Sequence, residues 1–474
     1  MFRYLAVLLA VLVGQTHAAA QLAKRPPSII HILADDVGYD DIGCFGSKVI
    51  ATPNLDKLAK QGMRFTSFYA PHPYCTPSRA AILTGCYAQR VGLPKVLFPN
   101  DTVGLHAGEI TIAQLLKRLG YRTALIGKWH LGHLPEFLPP RHGFDVYLGI
   151  PYPNDHSPER MTFTEPKVTR GFPPIPLIRS ERIVEQPTQL ASLPERFAAE
   201  AVKFIADNKD RPFFLHYANI ETHIPWLVTR PFQYKSKAGL YGDAVQCMDW
   251  QAGRIIKAIE DHGLAKDTLI VFSSDNGRLR TVSAELEGIY GHAAAVDTTL
   301  PTVLRGGKGQ ARYEGGIRVA CIMRWPDVIP AETTCAELTA GFDLFTTFAK
   351  AAGADVPKDR IIDGKDLTPL MRGAKDAKPP HEAFYCYENF NLVGVRSGKW
   401  KLVLPGGAKP KAKAPTTREL YDLDTDLGET KNLAAVHPDI VERLMTHVEA
   451  ARADLGDALT KRPGKNRRPA GLKE

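Results

Sequence analysis

The chain has 474 residues, 44% of them hydrophobic and 23% charged, enough to bury a large core and form one big domain with a smaller one beside it. That balance excludes a disordered or fibrous chain. A formal net charge of +9 suits an anionic substrate, but basic residues gather at 409–413 and 461–468 with almost no interleaved aromatics, so these runs read as a solvated loop and tail rather than a nucleic-acid surface.

At the N-terminus, Arg3 precedes an apolar run over residues 4–13, and Ala18-Ala19-Ala20 offers a small-residue cleavage pattern. Residues 1–20 are predicted to be a signal peptide, because the run falls short of the roughly 20 residues that span a bilayer. No later stretch is long and apolar enough to span, so a secreted or periplasmic protein with no membrane span is expected. Seven cysteines (Cys44, Cys75, Cys86, Cys247, Cys321, Cys335, Cys386) are too few and scattered for a disulfide framework, and the odd count invites one special cysteine.

Residues 28–34 (SIIHILA) are short, apolar and rich in β-branched side chains, which predicts a buried strand with Asp35-Asp36 at its C-terminal end. Thr52 as N-cap, Pro53 at the first helical position and Leu55, Leu58 and Ala59 at helical spacing predict a helix. A second helix is expected over Ile112, Leu115, Leu116 and Leu119, capped by Gly120, then a strand at 121–126. Residues 151–194, rich in Pro, Arg and Thr without periodicity, are expected to form a long loop excursion. Helices near 196–208 and 242–262 alternate with strands at 213–217 and 268–272.

This alternation predicts an α/β fold, a large, mostly parallel sheet sandwiched by helices. After about residue 363 short strand-like pieces at 393–395 and 399–404 flank a lysine and proline loop between 406 and 416, which predicts a smaller C-terminal α+β subdomain. The expected division is a signal peptide at 1–20, a catalytic domain at 21–362, a subdomain with a small antiparallel sheet at 363–460 and a basic tail at 461–474.

Strand ends in open α/β sheets face the ligand crevice. Asp35-Asp36 closes one strand and Ser274-Asp275-Asn276-Gly277 follows another, giving three carboxylates and an amide oxygen, hard ligands suited to Ca²⁺ or Mg²⁺. Taken singly, each is more simply a pair of loop acids or an Asx-turn. Cys75-Thr76-Pro77-Ser78-Arg79 precedes an apolar run, which puts Cys75 at a helix N-terminus where free amides attract an oxyanion.

The strings CTPSRAAILTG (75–85) and GYRTALIGKWHLG (120–132) resemble the signatures of the formylglycine-dependent sulfatase family. The resemblance continues through Asp35-Asp36, TPNLDKLAKQGMRF (52–65), Thr222-His223-Ile224-Pro225, Ser274-Asp275-Asn276-Gly277, GGKGQARYEGGIRV (306–319) and ELYDLDTDLGETKNL (419–433). It implies an alkaline-phosphatase-like fold, oxidation of Cys75 to formylglycine by a maturation enzyme, and Ca²⁺ held by Asp35, Asp36, Asp275, Asn276 and the residue-75 side chain. It places Arg79, Lys128, His130, His223 and Lys308 around the sulfate of a sulfated glycan or small molecule.

On that resemblance the hydrated aldehyde attacks sulfur and its second hydroxyl then expels sulfate. Lys128 and Lys308 bind sulfate oxygens, Arg79 holds the formylglycine side, His223 or Lys308 protonates the leaving alcohol, and His130 helps deprotonate the second hydroxyl. Arg278, where many relatives carry proline, and Pro153, where some carry serine, are expected to alter substrate contacts at the rim. Two other functions fit the same residues: a phosphonate or phosphate ester hydrolase of the same superfamily, and a non-catalytic protein that binds sulfated glycans. The retained Cys75, both lysines and all four ligands argue against the latter.

Overall fold

A computed structural model describes residues 25–156, 172–280, 300–374, 376–406 and 415–473. The expected signal peptide and the 409–413 basic run lie outside the described residues. The main sheet is built, in chain order, from β1 (Ser28–Ala34), β2 (Met63–Phe65), β3 (Arg122–Lys128), β4 (Val146–Ile150), β5 (Leu177–Arg179), β6 (Arg182–Glu185), β7 (Phe213–Ala218), β8 (Thr268–Ser274), β9 (Cys321–Arg324) and β10 (Thr333–Cys335). Their spatial order is β10-β2-β9-β8-β1-β7-β3-β4-β5-β6. The five middle strands, β8 to β4, run parallel, and antiparallel pairs flank them. The expected mixed, mostly parallel sheet is therefore what forms.

The parallel strands are buried on both faces, which is why β1, β7 and β8 read as near-continuous apolar runs, interrupted inside β1 and β7 only by His31 and His216. One apolar cluster joins Ile30, Ile32, Leu215 and Phe272 to the helices α4 (Leu193–Asp207) and α5 (Gly239–Asp261). The other joins Ile29, Phe214, Leu269 and Val271 to α2 (Cys75–Thr84), α3 (Ile112–Arg118) and α7 (Asp343–Ala351). Helix α1 (Pro53–Lys60) and the short helix α6 (Glu314–Ile317) complete the set used below.

Local chemistry sets the helix ends. Thr111 accepts from the Gln114 amide, and Gln114 reaches back to the Thr111 amide, a capping box that starts α3. Gly85, at φ +70°, ends α2 against Phe345, whose ring a Cβ there would strike at 2.7 Å. Thr52 and Pro53 start α1 at the expected positions, but the Thr52 side chain makes no capping bond, and the Asp249 carboxylate on α5 accepts from the Asn54 and Leu55 amides instead.

Two expectations are corrected. Residues 151–194 are not loop throughout: β5 and β6 form an edge hairpin and α4 begins at Leu193. Ile183 and Val184 on β6 are exposed, so no buried alternation marked the strand. The 461–468 run is not wholly solvated either. Arg468 pairs with Glu109 at 2.6 Å, the Arg467 guanidinium lies 4.1 Å from the Phe390 ring centroid, and Gly471-Leu472 pair with Val103-Gly104.

A second, antiparallel sheet contains β11 (Phe384–Glu388), β12 (Asn391–Ser397), β13 (Trp400–Val403) and β14 (Glu419–Asp422), with helix α9 (Pro438–Asp454) packed against β12; α8 (Thr368–Met371) precedes it. Lys401 on β13 reaches back to Glu314 of α6 at 2.8 Å, fully buried. This ion pair welds the second sheet to the loop that follows Lys308.

Candidate active site

Parallel pairing sets Ala34 of β1 opposite Ser274 of β8, so Asp35-Asp36 and Asp275-Asn276 leave the sheet side by side. The Asp36 amide donates to Asp275 Oδ1 at 3.2 Å, and Asn276 Nδ2 donates to Asp36 Oδ1 at 2.7 Å. Asp36 sits at φ +63°, a left-handed conformation that a non-glycine residue adopts only when its surroundings hold it. All four side chains are buried.

Helix α2 brings Cys75 to this edge at its first residue, and Arg79 follows one turn later. Arg79 donates to Asp275 Oδ2 through Nε at 3.0 Å and Nη2 at 2.8 Å, and through Nη1 to the Lys128 carbonyl at 2.9 Å. Lys128, at the end of β3, places Nζ 2.6 Å from Asp35 Oδ2. Lys308 places Nζ 2.7 Å from Asp36 Oδ2. Three buried carboxylates thus face three cations, which is the condition under which charges tolerate burial.

Burial opposes ionisation of Asp35, yet Lys128 and Arg79 outweigh it and hold the carboxyl well below its ordinary range. Burial also works against the Lys308 charge, and Asp36 overrides it, keeping Lys308 protonated. For Cys75 burial wins over both lysines and pushes the thiol up to about 12.

The two expected histidines arrive on loops. His223 Nδ1 donates to the Ile224 carbonyl at 2.8 Å, which leaves Nε2 with the lone pair in the neutral ring, 3.7 Å from Asp36 Oδ2. His130, at φ +62°, donates from Nε2 to the Leu97 carbonyl at 2.9 Å, and its Nδ1 has no hydrogen-bond partner. Burial first, then nearby lysines, lower the pKa of both rings and favour their neutral forms.

The donor set fits a divalent cation. Asp35 Oδ1 and Asn276 Oδ1 are fully buried acceptors without any donor, a costly state that a hard cation relieves. Asp35, Asp36, Cys75 and His223 each offer a ligand atom, all within 4.8 Å of one another. Both Asp275 oxygens are already engaged, by Arg79 and by the Asp36 amide.

Asp35, Asp36, Cys75, Arg79, Lys128, His130, His223, Asp275, Asn276 and Lys308 therefore gather at one edge of the sheet. The expectation for Arg278 is corrected: it is not at the rim but buried, bonded to Asp41, with its carbonyl accepting the Lys308 amide at 2.9 Å. Sequence reasoning missed Asp155, whose Oδ1 lies 3.9 Å from His223 Nδ1, and the Arg278–Asp41–Tyr241 group. The Asp155-His156 pair next to the irregular Pro151-Tyr152-Pro153 was the available signal.

Residues 27–354 match the Sulfatase family and residues 309–454 the C-terminal region of N-sulphoglucosamine sulphohydrolase. The chain is 38% identical to human (Homo sapiens) arylsulfatase A over 94% of its own length and 91% of that protein. It is 34% identical to the steryl-sulfatase of Mus musculus, over 96% of this chain and 86% of that one. The crystal structure of the PsFucS1 sulfatase from Pseudoalteromonas sp. superposes with a TM-score of 0.79 at 26% identity, covering 94% of this chain and 92% of the other.

Proposed function

Because this chain belongs to the sulfatase family and is a sulfuric ester hydrolase, we propose that it cleaves the sulfate ester of a sugar or aryl alcohol with a formylglycine made from Cys75 and a calcium ion. The observation that carries this is the pair of buried, donorless oxygens, Asp35 Oδ1 and Asn276 Oδ1, at the edge that holds Cys75 and three cations. Asp35, Asp36, Asp275, Asn276 and the residue-75 side chain would hold the ion, with His223 alongside. The cation would neutralise charge that builds on the sulfuryl group, and the hydrated aldehyde would supply a nucleophilic hydroxyl beside a second one able to release sulfate. The unmodified thiol, held at about 12 by burial, is a poor nucleophile near neutral pH.

The chain's own groups have separable parts in the reaction. Lys128 and Lys308 grip sulfate oxygens as point charges while Arg79, with two donors on Asp275 Oδ2, holds the residue-75 side of the site. The alcohol oxygen departs with a proton supplied by His223 Nε2, when that ring is protonated, or by Lys308 Nζ. His130 Nδ1, with its lone pair free in the neutral ring, accepts the proton of the second hydroxyl. Water enters, and inorganic sulfate and the alcohol leave.

Export through residues 1–20, action of a maturation enzyme on Cys75, and a division into a catalytic domain ending near 362, a subdomain to 460 and a tail belong to the same proposal. The last is supported by the second sheet, which begins at Phe384. Among the described residues no helix is long and apolar enough to cross a membrane. The test is hydrolysis of an aryl sulfate by protein made with and without a formylglycine-generating enzyme. Activity that ignores both the maturation enzyme and added calcium would overturn the mechanism.

A further inference from the structure

We propose that Phe98 sets substrate specificity: its ring, on the lip of the site, receives the face of the ring that bears the sulfate ester. The inference rests on the sulfatase reading above and deepens it.

Phe98 is 42% exposed, a large apolar side chain turned toward solvent. It is not on a slack loop. The Leu97 amide donates to Thr76 Oγ1 at 3.2 Å, and Thr76 follows Cys75 directly. The Leu97 carbonyl accepts the His130 ring at 2.9 Å. Beyond it, the Phe98 amide donates to Asp101 Oδ2 at 2.6 Å and the Asp101 amide returns to the Phe98 carbonyl at 3.0 Å. The residue before Phe98 is therefore fixed at once to the helix start that carries Cys75 and to a histidine of the site.

A second element meets it from the other side. The His156 ring stacks on Phe98 with centroids 4.9 Å apart and planes 25° from parallel, and stands edge-on to His130 at 5.9 Å. Phe172 lies nearly parallel to Phe98 at 6.2 Å. Asp155, the neighbour of His156, approaches His223 at 3.9 Å. Two turns, one tied to His130 and one to His223, thus join in an aromatic stack whose outer member stays exposed.

Rigid aromatic faces of this kind bind the apolar face of another ring, an aryl group or the C–H face of a pyranose, at little conformational cost. A sulfate seated among Lys128, Lys308 and residue 75 would leave its ester-bearing ring to lie outward, toward the lip. A short alkyl sulfate has no ring to offer.

The test uses the matured, calcium-loaded protein and its Phe98→Ala and Phe98→Tyr variants with three esters: an aryl sulfate, a pyranoside sulfate and a short alkyl sulfate. Phe98→Ala is expected to raise KM about tenfold for a ring-bearing ester with kcat nearly unchanged, to leave the alkyl ester unaffected, and to be rescued by Phe98→Tyr. A loss confined to the aryl or to the pyranoside ester supports the inference and names the ring. Equal losses on all three esters, or unchanged KM on both ring esters, overturn it. Wild-type protein inactive on every ester would overturn the sulfatase reading, and this inference with it.

Discussion

Arg278 donates to Asp41 Oδ1 at 2.5 Å while the Tyr241 hydroxyl donates to the other oxygen of the same carboxylate, also at 2.5 Å. Tyr241 lies 3.4 Å from the Asp36 carbonyl, and the Arg278 carbonyl holds the Lys308 amide. One buried ion pair thus braces a candidate metal ligand and a candidate sulfate-binding lysine from behind.

Replacing Arg278 with alanine leaves Asp41 buried beside Tyr241 with no cation, and burial already raises the Asp41 pKa against the pull of Arg278. We expect Arg278→Ala to cost about 3–5 kcal/mol of stability, seen in denaturant titrations, and the double variant with Asp41→Asn to recover part of it. Additive losses in the double variant would contradict the pairing.

Cys75→Ala is expected to abolish sulfate-ester hydrolysis while the fold, followed by circular dichroism, is retained. Mass spectrometry of the peptide spanning residue 75 from active wild-type protein should find formylglycine. A fully active preparation that yields only the thiol would sink the mechanism.

Calcium removal should lower the melting temperature, because a cation that binds only the folded state stabilises it by mass action. Chelation leaves Asp35 Oδ1 and Asn276 Oδ1 buried with no partner. Asp275→Ala is expected to weaken calcium binding and activity together, since it also removes the carboxylate that holds Arg79 Nε and Nη2. Full calcium retention in that variant, measured by calorimetry, would remove Asp275 from the ligand set.

Acid should loosen the joint between the two sheets. Burial disfavours the Glu314 charge, but Lys401, Arg318 and Arg396 outweigh it and hold the carboxyl down at about 2, against an ordinary 4.5. A depressed carboxyl contributes stability above its unfolded pKa and loses it as pH falls toward the folded one. Stability should therefore drop between pH 4.5 and 2, and Glu314→Gln should flatten that slope while lowering stability at pH 7.

Matched aryl sulfate and aryl phosphate esters should separate the two hydrolase readings. One cation with Lys128 and Lys308 complements a sulfate monoester of single negative charge better than a phosphate monoester carrying nearly two. We expect higher kcat/KM for the sulfate; faster phosphate release would reverse the choice.

Much of the site is legible in the sequence. The apolar runs of β1 and β8 end in acids, and parallel pairing at the centre of the sheet makes those ends meet, so local pattern and topology point to the same edge. Cys75 and Arg79, four residues apart on one helix, reach that edge together. What escaped notice depends on tertiary contact rather than local pattern. Asp249 caps a helix 195 residues away, and the arginine at 278 turns inward because Asp41 and Tyr241 await it. In hairpin β5–β6 only Leu177 and Ile178 are buried while β6 is exposed, so no alternation of apolar and polar residues separates it from loop.

The depth of Cys75 also fixes an order of events. Its side chain is 2% exposed at the first turn of a helix packed under the sheet, so a second protein can reach that sulfur only while the chain is still open. The edge that encloses it exists only once β8 lies beside β1, two strands roughly 240 residues apart in sequence. If another protein modifies residue 75, that step is therefore expected on the open chain, and a molecule that folds with its thiol intact would have to open again to be modified.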